Sequence, residues 1–499
     1  MQGNTTVLIT FVAYFTVMLG IGYEAYRRTA TSSDYFLGGR SLGPWTAALS
    51  AGASDMSGWL LLGLPGYAFM AGLEAFWLGA GLLLGTWLNW MLVAKRLRIY
   101  SKALGDSLTL SEYFSNRFND RSKVLQRLSA MFILLFFLFY TSSGLVAGGK
   151  LFETAFGLDY RWAVILGAVS VISYTLFGGF LAVCWTDLVQ GLLMSAALVI
   201  VPLVALDFSG GIGHVVTTMH MKNPELLNIM TDVYGNPLST ITILSLLGWG
   251  LGYFGQPHIL ARFKAVKSVE DMPAARRIAV TWTGFCILGA FLVGLAGMVY
   301  VDAHPGIILE DPEQIFMLLV SSLFNPLVAG ILLAAILAAI MSTADSQLLV
   351  CSTAFAEDLY RDMFRSEATQ QEILQVGRVS VVVISIIACL LAMNPDSNVL
   401  GLVSYAWAGF GAAFGPALLI SLFWKRMTRN GALAGILVGG VTVVVWKQLT
   451  GGWFDLYEII PGFAFSSIAI VAVSLFVGRV PVNTSFGGCC KSPIQWHRR

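Results

Sequence analysis

Charge is what this sequence has least of. Only 12% of its 499 residues are Asp, Glu, Lys or Arg, against 57% hydrophobic residues. A water-soluble chain carries about 25% charged residues, so the composition excludes a soluble globular protein and points to an integral membrane protein. Cysteine is nearly as scarce. The six cysteines show no C-x-x-C and no zinc spacing, which excludes a disulfide framework or a metal knuckle. Cys184, Cys286, Cys351 and Cys389 fall in or near apolar runs, where a thiol behaves as a small buried group. Cys489 and Cys490 are adjacent near the end, and lipidation is their one special reading. No basic stretch precedes the first apolar run, which is expected to begin the first span and not a removed signal peptide. The sequence has no nucleophile–base set and no phosphate-binding loop, so no enzyme is expected. A net charge of +2 gives no sign of a nucleic-acid partner. The ten-residue alternating segments of a membrane β-barrel are missing as well.

What the chain has instead is long apolar runs. Windows free of Asp, Glu, Lys and Arg occupy 1–23, 41–73 (broken only by Asp55), 75–94, 128–149, 163–186, 188–206, 233–261, 278–301, 314–344, 379–395, 397–424, 430–446 and 459–478. Most reach the ~20 residues that cross ~30 Å of hydrocarbon as α-helix. The sequence therefore predicts an all-α membrane protein of thirteen spans, with the lipid bilayer as its surroundings. Basic residues follow the odd spans: Arg27, Arg28 and Arg40 after the first, Lys95 to Lys123 after the third, Arg262 to Arg277 after the seventh, Lys425 to Arg429 after the eleventh. The positive-inside rule makes that face cytoplasmic. The N-terminus is then outside and the C-terminus inside, as an odd number of spans requires. Residues 1–480 form one transport domain and 481–499 a cytoplasmic tail.

Two spans are interrupted at their centres. One reads Ser50-Ala-Gly-Ala-Ser-Asp-Met-Ser-Gly58, the other Gly248-Trp-Gly-Leu-Gly-Tyr-Phe-Gly-Gln-Pro257. Small residues and proline weaken a membrane helix and free backbone groups to bind something. Glycine also serves plain helix packing. Asp55 weighs against packing alone, because a lone carboxylate at membrane depth is costly and usually handles ions or substrate. The breaks lie five spans apart. Halves of five spans each, about 41–206 and 233–424, would be related by inversion, with the site between them.

The ordered motifs resemble the sodium:solute symporter family, and within it the bacterial proline branch. The resemblance rests on Gly38-Gly-Arg-Ser-Leu-Gly-Pro44, Ser54-Asp-Met-Ser-Gly-Trp-Leu60, Gly178-Gly-Phe-Leu-Ala-Val-Cys-Trp-Thr-Asp187, the run from Gly248 to Phe263, Met341-Ser-Thr343 and Arg426-Met-Thr-Arg-Asn-Gly-Ala-Leu-Ala-Gly435. It implies a five-plus-five inverted repeat of the LeuT-like type, working by alternating access in a bacterial inner membrane. Sodium would be the coupling ion and L-proline the substrate, with no cofactor and no protein partner. The implied sodium ligands are the carbonyls of Ala53, Met56 and Ala339 and the hydroxyls of Ser342 and Thr343. By themselves, the two hydroxyls would more often bond back to the preceding helical turn.

Asp55 is implicated in sodium-dependent transport by the same resemblance; bracing the break is the plainer role. N–H groups around Ser57 and Gly58 are free to take a carboxylate. Tyr140, Trp249, Tyr253 and Pro257 line the implied substrate path, with Trp249 and Tyr253 four apart on one helical face. Asp187 is placed at the cytoplasmic start of span six, as a sodium exit group or a helix N-cap. Arg40 is a cytoplasmic gate or a topology anchor. Asp345 departs from the family pattern and either tunes the ion site or pairs with a basic loop residue. His258 is expected at a solvated or hydrogen-bonded helix end. A symporter for another small solute stays open, as does a transporter-like sensor, against which the short tail argues.

Overall fold

The computed structural model describes residues 2–28, 37–175 and 179–476. Gly178 and the tail, with Cys489 and Cys490, lie outside the described residues. Among the described residues all regular structure is helical, apart from two isolated β-bridges. The helices are α1 (Gln2–Arg28), α2 (Pro44–Asp55), α3 (Leu64–Ala71), α4 (Phe76–Asn89), α5 (Lys95–Ala103), α6 (Leu110–Arg117), α7 (Val124–Phe156), α8 (Tyr160–Thr175), α9 (Phe180–Phe208) and α10 (Ile212–Lys222). They continue as α11 (Thr240–Gly248), α12 (Pro257–Ala265), α13 (Met272–Ala303), α14 (Ile315–Leu323), α15 (Pro326–Thr353), α16 (Gln370–Ala392), α17 (Val399–Phe423), α18 (Arg429–Trp446) and α19 (Ile459–Phe476).

Among the described residues ten helical stretches are long and apolar enough to cross a bilayer, and Tyr160–Ile172, Thr240–Gly255 and Pro312–Leu323 are shorter apolar helices. Two window boundaries move. The runs 163–186 and 188–206 divide at Gly179, so Asp187 lies inside α9 and not between helices. The run 314–344 divides at Asn325. That side chain accepts from the N–H groups of Leu327 and Val328, and Pro326 fills the first helical position. Both are strong start signals for α15; continuous hydrophobicity hides them.

Burial sorts the helices into layers. Of their most apolar windows, 83% is buried for α15 and α17 and 72% for α7, against 28% for α1 and 33% for α16 and α19. The first group is the centre of the bundle, and the second turns apolar side chains outward, as lipid-facing helices do.

Both interruptions are real breaks. α2 stops at Asp55; Met56 (φ −81°, ψ 75°) leaves helical geometry, and helix resumes through a wide turn at Trp59–Gly63 into α3. α11 tightens into a 3-10 stretch, Trp249–Gly255, which ends at Gln256 (φ −77°, ψ 107°). Pro257 then starts α12. It has no N–H for the preceding turn and disfavours helix at the residue before it. Glycine makes the close packing of this break possible. A Cβ on Gly250 would lie 2.3 Å from the Gly81 carbonyl oxygen, and one on Gly255 2.0 Å from that of Phe410.

The two broken helices are joined at one end by backbone. Leu42 N–H donates to Ala265 O (3.1 Å) and Lys267 N–H to Leu42 O (2.9 Å). A separate tie holds α7, the turn before α14, and α17. Lys150 Nζ meets Asp311 Oδ2 (2.7 Å) and Glu313 Oε2 (2.6 Å). The same Glu313 carboxylate accepts the N–H groups of Val399 and Leu400, the first turn of α17. A carboxylate at a helix N-terminus is favourable on both hydrogen-bond and dipole grounds.

Candidate functional site

The first break faces α15. Ser342 Oγ donates to Ala53 O (2.8 Å) and Thr343 Oγ1 lies 3.3 Å from the same carbonyl. Ser342 Oγ is also 3.2 Å from Ala339 O in its own helix. Back-bonding therefore accounts only for the longer of Ser342's two contacts. Four of the five expected ion ligands converge here. The fifth, Met56, sits where the ladder is interrupted. Leu60 N–H, which would close on Met56 in an unbroken helix, bonds to Ser57 O at 3.0 Å instead. Buried carbonyls and hydroxyls at this spacing form an oxygen-only donor set, which suits a small hard cation.

Asp55 links this shell to the second break. It is 1% exposed, and its Oδ2 accepts the Tyr253 hydroxyl at 2.7 Å. Its backbone carbonyl accepts Trp59 Nε1 (3.0 Å), Tyr140 OH (2.9 Å) and Ser57 N–H (3.0 Å). These three bonds end on the backbone carbonyl, and the second carboxylate oxygen, Oδ1, has no partner among the described residues. The Ser57 N–H, expected to be free for a substrate carboxylate, is engaged within the turn. Gly58 passes close to α7: a Cβ there would lie 2.5 Å from Ala147 Cβ.

Trp249 and Tyr253 do not share a face. The expectation assumed α-helical spacing, but the segment is 3-10, where residues three apart superpose and residues four apart diverge by about 120°. Tyr253 points at Asp55 and packs edge-on against Trp407, with ring centroids 4.9 Å apart. Trp249 stacks on Tyr457 at 5.4 Å and lines an open cavity of about 410 Å³ with Ser404, Asp455, Tyr457 and Glu458. Pro257 opens α12 beneath them.

A buried ionic cluster lies on α2, α9, α12 and α15. Arg262 Nη2 meets Asp187 Oδ2 at 3.0 Å and Ser346 Oγ at 2.5 Å, and Arg262 Nε donates to Ser50 Oγ at 3.0 Å. Ser50 Oγ donates in turn to Asp187 Oδ2 at 2.6 Å. Two expectations are corrected here. Asp187 is fully buried two turns inside α9, so it is no N-cap. Arg262, counted above among the surface charges that set orientation, is 1% exposed and belongs to the interior. Asp345 pairs with no loop residue among those described. Its Oδ1 accepts Ser346 Oγ at 3.3 Å, and its charged neighbours are Asp187 and Arg262. Arg40 bonds Asp106 Oδ1 (2.8 Å) and Lys264 O (2.6 Å). It thereby joins the entry of α2 to the end of α12, which is more than an anchor does. His258 is also corrected: it is completely buried, with neither ring nitrogen bonded among the described residues.

Sequence reasoning missed Arg262, Ser50, Lys150 and Glu313 as partners. Arg262 carried a usable signal, since it follows Pro257 within one short helix. The others are ordinary residue types until the fold brings them together.

Residues 35–439 match the model of the "Sodium:solute symporter family". The chain is 52% identical over 497 residues to the sodium/proline symporter of Salmonella typhimurium, covering 99% of this chain and 97% of that one. It is 52% identical over 481 residues to the sodium/proline symporter of Escherichia coli, at 96% and 94% coverage. Among solved structures, that of a Na+-coupled sialic acid symporter superposes with a TM-score of 0.79 at 21% identity, over 96% of this chain and 99% of that chain.

Proposed function

The chain belongs to the sodium:solute symporter family, and from that premise we propose that it couples inward sodium movement to L-proline uptake. The cycle is alternating access in a thirteen-span, five-plus-five inverted repeat, seated in a bacterial inner membrane with the N-terminus outside. One observation carries the reading. The oxygen set of Ala53, Ala339, Ser342 and Thr343 at the first break is joined through Asp55 to Tyr253 at the second. A cation drawn to the first set holds the two breaks in one arrangement, which is how an ion favours the substrate between them. Binding linkage then requires substrate to favour the ion by the same factor.

Zwitterionic proline adds no net charge, so one sodium per cycle moves one positive charge. A potential of 100 mV contributes about 2.3 kcal/mol and a tenfold sodium gradient about 1.4 kcal/mol. Tight coupling would support several-hundred-fold accumulation, on the order of 3.7 kcal/mol. The deciding experiment is labelled-proline uptake into proteoliposomes under imposed sodium, potassium or proton gradients. Uptake that ignored sodium, or ignored an inside-negative potential, would overturn the proposal; sodium-driven uptake of a different solute in place of proline would overturn the substrate.

Ser342→Ala and Thr343→Ala should each raise the sodium concentration for half-maximal uptake by about tenfold or more. Losing one partner to a buried charge costs roughly 1.5–3 kcal/mol. A sodium titration of the purified variants checks this, and an unchanged requirement returns both hydroxyls to ordinary helix bonding.

Trp249→Ala and Tyr253→Phe should behave differently, because their side chains face different ways. Trp249→Ala should weaken proline affinity at saturating sodium and leave sodium binding without proline intact. Tyr253→Phe removes only the hydroxyl on Asp55, and should weaken sodium binding even in the absence of proline. Equal effects of the two changes on sodium affinity would contradict the geometry.

A further inference from the structure

The second break carries three buried polar atoms that no described residue bonds and that the ion shell does not use. Gln256 is fully buried. Its Nε2 donates to Gly252 O (3.2 Å) and Trp407 O (3.4 Å), while its Oε1 accepts from no group. Two residues on, the His258 ring lies between Phe137 and Tyr140 of α7, at centroid distances of 5.5 and 6.1 Å. Neither its Nδ1 nor its Nε2 has a partner. Buried polar atoms are bonded in the great majority of cases, so an unbonded group calls for an explanation, a bound molecule among them.

Position narrows the choice of molecule. Gln256 closes the 3-10 stretch against Trp407 of α17, and His258 touches Tyr140, whose hydroxyl bonds the Asp55 carbonyl at the first break. The three atoms therefore lie among α7, α12 and α17 beside both interruptions, where the substrate is proposed to sit. Arg262 Nη1 bonds the His258 carbonyl at 3.0 Å and leaves the ring unengaged. The ring therefore plays no part in the ionic cluster.

The donor and acceptor types narrow it further. With its amide nitrogen committed, Gln256 has only an acceptor to offer. A neutral imidazole presents one N–H donor and one bare nitrogen. We propose that Gln256 and His258 read the two charged ends of the substrate, with Gln256 Oε1 accepting an N–H of the secondary ammonium and His258 donating its N–H to the carboxylate. This rests on the proline-transport reading above and deepens it. It makes the second break a chemical filter as well as an apolar wall, because a solute lacking either end leaves one of these groups buried and unpaired.

Substrate analogues test the assignment end by end. Cyclopentanecarboxylate replaces the ring ammonium by CH2, and prolinamide replaces the carboxylate by a neutral amide. Each competes against labelled proline at saturating sodium, on wild type, Gln256→Met, Gln256→Asn and His258→Phe. Sodium affinity measured without proline reports folding. Both Gln256 variants should lose roughly tenfold or more of the preference for proline over cyclopentanecarboxylate and keep the preference over prolinamide. His258→Phe should do the opposite. Variants that bind sodium normally and keep both preferences overturn the assignment, as does a uniform fall in all affinities with preferences unchanged, which marks a structural role. If wild type itself shows no sodium-dependent proline binding, the proline reading fails first and separately.

Discussion

Sodium-driven proline uptake should fall by about a hundredfold in Asp55→Asn, with the protein still folded and inserted. The substitution keeps size and shape and removes the charge. The lost interaction is between a buried carboxylate and a cation close by, together with a hydroxyl that donates to it at 2.7 Å; charge-assisted contacts of this kind are worth roughly 1.5–3 kcal/mol each. The three bonds to the Asp55 carbonyl involve backbone and survive the change, so the break itself should persist. Asp55→Glu should retain part of the activity, since charge matters more here than reach. Initial rates against sodium concentration, in proteoliposomes at equal protein content, decide the matter. An Asp55→Asn protein with wild-type sodium dependence would reduce the carboxylate to a brace.

Asp55 stood out in the sequence because a single charge in a run of thirty-three residues, 41–73, is costly at membrane depth whether it handles an ion or braces the break. The two breaks were legible for a related reason. Pro257 and the small residues around Asp55 act on the backbone locally, and local effects survive without knowledge of the fold. Orientation of side chains across the second break was not legible. Placing Trp249 and Tyr253 on one face required knowing whether the turn there has 3.6 or 3.0 residues, and the tight packing of Gly250 and Gly255 against neighbouring carbonyls selects the narrower helix.

Boundaries failed where hydrophobicity was the only guide. Asp187 looked like a gap between two spans because it is charged, yet the helix starts at Phe180 and runs through it. The carboxylate is tolerated inside because Arg262, seventy-five positions away, reaches it. A partner at that distance cannot be read from spacing. For the same reason Arg262 was read as an inside-positive residue: in sequence it sits beside Lys264 and Lys267, and only packing separates the buried Arg262 and Lys264 from the exposed Lys267.

That buried pair should give the largest stability effect in the molecule. Arg262→Leu removes the one cation that, among the described residues, faces Asp187 and Asp345, both fully buried. Removing one member of a buried ion pair costs about 3–5 kcal/mol, because the other is left charged and unpaired, whereas replacing both is often neutral. Arg262→Leu should therefore unfold at markedly lower temperature in detergent, and Asp187→Leu in the same chain should restore part of the loss. Restoration should remain incomplete until Asp345→Ser is added, since Asp345 would otherwise keep an unneutralised carboxyl with only Ser346 against it. The triple variant lacks the tie between α12 and both α9 and α2 that Arg262 makes through Asp187 and Ser50. It should fold well and still transport poorly, holding α2, α9 and α12 together less firmly and releasing preloaded proline without sodium. Thermal unfolding across the single, double and triple variants, with efflux measured alongside, tests both halves. If Arg262→Leu alone is as stable as the triple variant, the cluster carries no net electrostatic interaction and the carboxyls do without their cation.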